Sequence, residues 1–304
     1  MHPGSRGHAK NGDEMTTQRR AAGANAVIAV RHGEWKTLRS HVFLNYSDRG
    51  EADSPHVVAY YFWAIVTPER TIVVDTGFAA NAGLRRGRDV LISPIDAFVS
   101  LGLDPDSDVD LVLTHAHYDH IGNASWFRRA RVYMARAEYD FWASPTADAP
   151  SFQGLVEETE LAHLTELEAS GRLRLIDADR SLAPGVDLVL APGHTPGELM
   201  VRVDTADGVV LVTSDAVHFD EELARDMPFR HMCDLAEAHD TFRRIREMVR
   251  TGDVDHIVAG HEQDVSTRYP ALPGSLGPHA VVIGGAPTET ALASVSEREV
   301  VRDH

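Results

Sequence analysis

Four metal-ligating side chains fall within six positions of the run Thr114-His115-Ala116-His117-Tyr118-Asp119-His120-Ile121-Gly122. Core packing does not call for them, because buried ionisable groups are costly unless paired or bound to metal. Imidazole suits zinc and other borderline metals, and carboxylate suits harder ones. The run therefore points to two metal ions and to hydrolysis. Just before it, Asp110-Leu111-Val112-Leu113-Thr114 is a short apolar stretch of strand type. If the run is the loop leaving that strand, His115 and His117 project to one side and can share an ion. Asp119 and His120, at the start of the next segment, can turn toward a second.

Three more ligand-type residues stand at the ends of strand-like stretches. Val186 to Ala191 leads into Pro192-Gly193-His194-Thr195-Pro196-Gly197, Val209 to Thr213 into Ser214-Asp215-Ala216, and Asp255 to Ala259 into Gly260-His261. Singly, His194 could be a turn histidine, Asp215 a helix cap and His261 a surface group. Together with the first run they place ligand-type side chains at four strand exits, where sites gather in open α/β sheets.

In His115, His117, Asp119, His120, His194, Asp215 and His261 the chain resembles the metallo-β-lactamase-fold hydrolase superfamily, and Val73-Val74-Asp75-Thr76-Gly77 matches that family's early Asp-Thr-Gly element. The resemblance runs from about residue 26 to about 270. It implies that His115, His117 and His194 hold one ion, that Asp119, His120 and His261 hold the second, and that Asp215 bridges both together with a hydroxide. Two divalent ions are expected, with zinc the default and iron, manganese or cobalt fitting the same mixed ligands.

The elements needed to position these residues can be read along the chain. Strands are expected at 26–30, 42–44, 57–66, 71–74, 111–114 and 131–135, then at 172–176, 187–191, 199–203, 209–213 and 255–259. Helices are expected at 95–101, 136–142 and 155–170, the last closed by Gly171. Leu235, Ala238, Phe242, Ile245 and Val249 recur at helical spacing, with Asp234 and Glu237 resembling a capping box ahead of them. Two strand-rich halves suggest an α/β fold: an αββα sandwich of two mixed β-sheets flanked by helices, with the shared site at one edge. Residues 26–285 would form one metallo-hydrolase domain. Residues 1–25 read as a disordered arm, and 286–304 as a tail.

Composition narrows the function. The 304 residues carry 46 acidic against 29 basic side chains, a formal net charge of −17. That balance opposes polyanion binding, which needs clustered lysine and arginine, so nucleic acid is not an expected partner. Cys233 is the single cysteine, which excludes an internal disulfide. No apolar run reaches transmembrane length, and the first residues lack the apolar stretch of a signal peptide. A cytoplasmic location and no membrane partner are the default expectations, and a homodimer is allowed.

The bridging Asp215 selects among chemistries. By resemblance, a bridging carboxylate is typical of glyoxalase II, lactonases and nucleases, whereas true β-lactamases usually lack it. Around Asp215 the chain is most similar to quorum-quenching N-acyl homoserine lactonases. There a tyrosine three residues after the bridging aspartate orients the carbonyl and the leaving oxygen; here the position is His218, which can donate a hydrogen bond or protonate an alkoxide. The expected reaction is hydrolysis of a lactone or similar ester, with a metal-bridging hydroxide as nucleophile. Asp119 would shuttle the proton, with His218 supplying or positioning it. A thioester or amide hydrolase of the same superfamily is the alternative, ahead of a nuclease or a non-catalytic scaffold. Phe219, Met227 and Phe229, within a 218–232 segment that reads as a lid or pocket wall, are expected to bind substrate alongside His218. Tyr60-Tyr61-Phe62-Trp63 reads as a strand whose alternate members are core.

Overall fold

The computed structural model describes residues 25–285. The expected arm, apart from its last residue, and the expected tail lie outside the described residues. Within them, thirteen strands, numbered in chain order, form two mixed sheets. The first runs β13 (Ala280–Ile283), β1 (Ala26–Leu38), β2 (Pro55–Val66), β3 (Thr71–Val74), β5 (Asp110–Val112), β6 (Arg131–Ala135), β7 (Leu173–Ile176), with β4 (Asp89–Val90) also on β1. Antiparallel pairing joins β13 through β3, and parallel pairing joins β3 through β7. The second sheet runs β12 (His256–Ala259), β11 (Gly208–Ser214), β10 (Leu199–Thr205), β9 (Val186–Leu190), β8 (Arg180–Ala183); only β11 and β12 are parallel.

The sheets bury three apolar layers, as the αββα expectation requires. Val27, Tyr61, Trp63, Ile65 and Val74 meet Val186, Leu188, Val201, Val203 and Val212 between the sheets. Phe62, Ala64 and Val73 face the other way, toward Phe98, Leu164 and Leu167. Leu211 and Met200 on the second sheet meet Phe242 and Ile245 of helix Leu235–Thr251. Both faces of β2 are covered, so Val58 to Val66 is one unbroken buried run. All four of Tyr60 to Trp63 are therefore buried, not alternate members alone.

Other departures have local causes. Residues 42–44 do not form a ladder strand. They follow a single 3₁₀ turn (Arg39–His41) and make one isolated bridge, Phe43 to Phe229. β8, β13 and the short β4 carry too little alternation to stand out in the sequence. The helix expected at 155–170 spans Glu158–Ala169, with Gly171 just beyond it at φ 68°. In helix Leu235–Thr251 the expected apolar face is buried at Ala238, Phe242 and Ile245, while its two ends, Leu235 and Val249, overhang the sheet and stay exposed.

The start of that helix bears on the site. Asp234 accepts from the Ala236 and Glu237 amides at 2.8 and 2.9 Å. Its own amide donates to the Gly193 carbonyl at 2.9 Å, so the return bond that Glu237 makes in a capping box is replaced by the loop carrying His194. Gly193 allows this contact: it sits at φ 140°, and a Cβ there would lie 2.4 Å from the Ala238 Cα. Asp234→Ala should lower stability by about 1 kcal/mol in urea unfolding, while Glu237→Ala should leave the midpoint nearly where it is.

Candidate metal centre

The seven ligand-type residues converge from both sheets. Asp75 follows β3, His115 to His120 follow β5, His194 follows β9, Asp215 follows β11 and His261 follows β12. All are buried. They fall into two groups whose candidate ligand atoms lie within 4.8 Å of one another: His115, His117, His194 and Asp215, and then Asp119, His120 and His261. Asp215 stands between them. Its Oδ2 is 3.5 Å from His194 Nε2 and 3.8 Å from His115 Nε2, and its Oδ1 is 3.0 Å from His261 Nε2 and 3.3 Å from His120 Nε2.

The surroundings settle which imidazole nitrogen is free. His115 Nδ1 meets Glu198 Oε2 at 3.1 Å and His120 Nδ1 meets Asp75 Oδ2 at 2.8 Å. His194 Nδ1 meets the His231 carbonyl at 2.8 Å, and His261 Nδ1 the Ala59 carbonyl at 2.7 Å. A carbonyl oxygen only accepts, so Nδ1 is the protonated nitrogen of His194 and of His261, and their Nε2 atoms turn lone pairs inward. The Nε2 atoms of His115 and His120 and Oδ1 of Asp215 have no hydrogen-bond partner despite full burial. His194 Nε2 and His117 Nδ1 lie 3.0 Å apart, within hydrogen-bond distance of each other and close enough to face one ion together. Buried, unpartnered atoms on His115, His120 and Asp215, within a cluster of five imidazoles and two carboxylates, fit divalent ions. Burial depresses the pKa of His115, His117 (to about 4) and His194, which favours the neutral, ligating form. Burial works the same way on His120, but Asp215, Asp75 and Asp119 outweigh it and carry its pKa well above the ordinary value.

Residues outside the ligand set hold it in place. Asp75 takes the Thr114 amide and hydroxyl at 2.8 Å each besides His120, fastening the end of β3 to the end of β5. Glu138 accepts from the amides of Ala116 (2.9 Å) and Gly197 (3.1 Å) and from Trp142 Nε1 (2.7 Å), clipping the β5 loop to the His194 loop. Glu198 also takes the Asp215 amide at 3.2 Å. Asp75 and Ser214 adopt left-handed φ of 59° and 46°, unfavourable for residues with a Cβ and concentrated here at two strand exits. Glu138 and Glu198 were not singled out from the sequence. The available signal was a carboxylate opening the otherwise apolar strand Glu198-Leu199-Met200-Val201.

Beside the ligand cluster lies a cavity of about 380 Å³, lined among others by Asp119, Asp215, His117, His194 and His261, and by Tyr60, Tyr118 and Phe229. Of the expected substrate residues, only Phe229 lines it. Phe219 and Met227 do not line it; they pack with Phe43, Tyr46 and Phe78 in an apolar cluster that backs the lining residues Tyr60 and Tyr118. His218 is buried behind the wall, stacked against Phe229 (ring centroids 3.9 Å, 13° between planes). It spans Asp215 Oδ2 (3.2 Å) and Glu222 Oε1 (3.4 Å). Burial opposes its charge, yet those two carboxylates raise its pKa to about 9. The 218–232 segment is fastened rather than lid-like. Asp220–Arg225 is helical, Glu221 pairs with Arg39 at 2.6 Å, and Leu44 and Arg230 bond to Pro228 and Val42 across the isolated bridge.

This fold, with a His/Asp cluster at the strand exits of two facing sheets, defines a class of metallo-hydrolase. The metallo-β-lactamase superfamily model matches residues 56–261, and the chain belongs to that superfamily. The N-acyl homoserine lactonase AiiA of Bacillus thuringiensis subsp. kurstaki is 29% identical over 223 residues, covering 68% of this chain and 83% of that one. A probable metallo-hydrolase of Mycobacterium tuberculosis is 29% identical over 178 residues, 51% of this chain and 55% of the other. Among solved structures, a quorum-quenching N-acyl homoserine lactone lactonase superposes with TM-score 0.66 at 23% identity, covering 79% of this chain and 92% of its own. AidC, described as a dizinc quorum-quenching lactonase, does so with TM-score 0.61 at 20% identity, covering 87% and 96%. At these identities the superpositions establish the fold.

Glu198→Gln should lower metal affinity about 10- to 100-fold in a chelator competition, with the circular-dichroism spectrum unchanged. Removing metal with a chelator should lower the thermal midpoint, and adding zinc back should restore it; an unmoved midpoint would mean that the cluster binds no ion.

Proposed function

We propose that this metal-dependent hydrolase binds two divalent ions, zinc by default, and opens a lactone or similar carboxylic ester. The observation that carries the reading is the division of ligand atoms by Asp215. Its Oδ2 lies 3.5 and 3.8 Å from His194 and His115, which group with His117, and its Oδ1 lies 3.0 and 3.3 Å from His261 and His120, which group with Asp119. When bound, such a pair of ions supplies a nucleophilic hydroxide near neutral pH and polarises the ester carbonyl. The chain's own groups do the rest. Asp119, which lines the cavity, takes and returns the proton at its carboxylate. His218 acts as a positioning residue: it holds Asp215 Oδ2 and, covered by Phe229, does not reach the substrate. The hydroxyl donors that do line the cavity are Tyr60 and Tyr118, with Oη atoms 3.5 Å apart. Burial raises the pKa of Tyr60 well above the ordinary value and that of Tyr118 to about 12, so both keep their protons at neutral pH. The relatives named as N-acyl homoserine lactonases support the choice of a lactone.

Initial rates on lactones, S-acyl glutathiones and nitrocefin should rank in that order. His194→Ala and Asp119→Asn should each lower the lactone rate by at least about 100-fold. Full activity with full metal content in either variant would refute the assignment, and a higher rate on the thioester would move the function to that class.

A further inference from the structure

The chain carries a formal net charge of −17, yet its active cavity is walled by arginine. Arg86, Arg88 and Arg230 line it, and its only lining carboxylates are Asp119 and Asp215, both in the proposed ligand set. Arg86 is already paired with Glu157. Arg88 is half-buried and held still: its Nε donates to Tyr118 Oη at 3.1 Å, its Nη1 donates to the Arg86 carbonyl at 2.9 Å, and its guanidinium lies 4.0 Å over the Trp35 ring. None of these contacts neutralises it. Among the described residues neither Arg88 nor Arg230 forms an ion pair, whereas most other arginines of this acidic chain do. Arg88 also stands close to the reaction centre. Its Cζ is 5.9 Å from the Tyr60 ring, and that ring is 5.2 Å from the His261 ring.

A fixed guanidinium with unused donors, set in a water-restricted wall, matches a planar or tetrahedral oxyanion. Surplus acid elsewhere would repel such a ligand, so a local cationic wall has to overcome the long-range field. We propose that the substrate bears an anionic group, a carboxylate or a phosphate, a few bonds from the scissile carbonyl on its His261 side. Arg88 holds that group, and Arg230 at the exposed mouth draws it in. The proposal rests on the hydrolase reading above and narrows it. It also separates this chain from an enzyme of N-acyl homoserine lactones, which carry no charge.

The test compares kcat/KM of the zinc-loaded protein on a neutral lactone and on the same lactone bearing a carboxylate or a phosphate. Either charged form should be preferred by about tenfold or more, and the better of the two identifies the anion. Arg88→Met should lose about tenfold more on the charged lactone than on the neutral one, and Arg88→Lys should recover part of the difference. A neutral lactone cleaved as well as both charged ones, or equal losses on neutral and charged lactones in Arg88→Met, would overturn the proposal. Calorimetric binding of glutarate against butyrate needs no turnover. Glutarate, with its second carboxylate, should bind about tenfold tighter to the wild type and lose that advantage in Arg88→Met. Equal binding of the two acids to the wild type would refute the anion site. If no ester were cleaved while glutarate kept its advantage, the hydrolase reading would fail and the anion site would stand.

Discussion

Asp75, Asp119, Glu198, Asp215 and Glu222 are all buried within one cluster, and the ion pairs they make among the described residues are to histidines alone. Much of the structure answers to this constraint. Carboxylates in a low-dielectric interior repel one another unless they are counter-charged. Among their imidazole partners burial keeps His115 and His194 neutral, nearby carboxylates favour the protonated forms of His120 and His218, and burial pushes Glu198 toward its neutral form. Cations held at the candidate site would complete the balance. The carboxylates that face no lone pair, Asp75 and Glu198, fix the histidines from behind, while those that do, Asp119 and Asp215, remain open at the front.

The backbone is shaped to the same end. Asp75 and Ser214 hold left-handed conformations at the exits of β3 and β11, one in each sheet, and their side chains meet through Thr114. Gly260 has no Cβ because one would lie 2.5 Å from the Ser214 carbonyl oxygen. The tight approach sets His261 against Asp215. Strain of this kind persists only where neighbouring structure determines it many times over. Here Glu138 and Asp75 supply that redundancy, each fastening two loops.

The candidate ligand cluster was legible because metal binding needs particular side-chain types at strand ends, and local spacing displays both. Most strands were legible for the same reason: β6 and helix Arg136–Trp142 fall where their periodicity places them. The outer layer was less so. Glu138 and Glu198 act on atoms 22 and 17 positions away, and no local pattern records such a pairing. Phe219 and Met227 show the converse difficulty. An aromatic residue near a site has the same composition whether it lines the cavity or backs it, and only packing against Phe43 and Phe78 decides. β8 and β13 lie at sheet edges, where half-exposed or four-residue strands leave little alternation to read.

His218 stands where the resemblance to lactonases expects a tyrosine. Its imidazole lies between two carboxylates, Asp215 and Glu222, with Phe229 closing over it. The hydroxyl donors then come from β2 and the β5 loop, as Tyr60 and Tyr118, on the opposite wall. The phenol of Tyr118 is itself held by Arg88. That one contact ties a phenol of the cavity wall to Arg88, so the proposed substrate anion, bound at Arg88, would also fix the Tyr118 hydroxyl. Binding away from the reacting bond can then be spent on alignment at it. On this account, recognition and orientation are two ends of one hydrogen-bonded unit, Arg88–Tyr118–Tyr60, rather than separate features of the cavity.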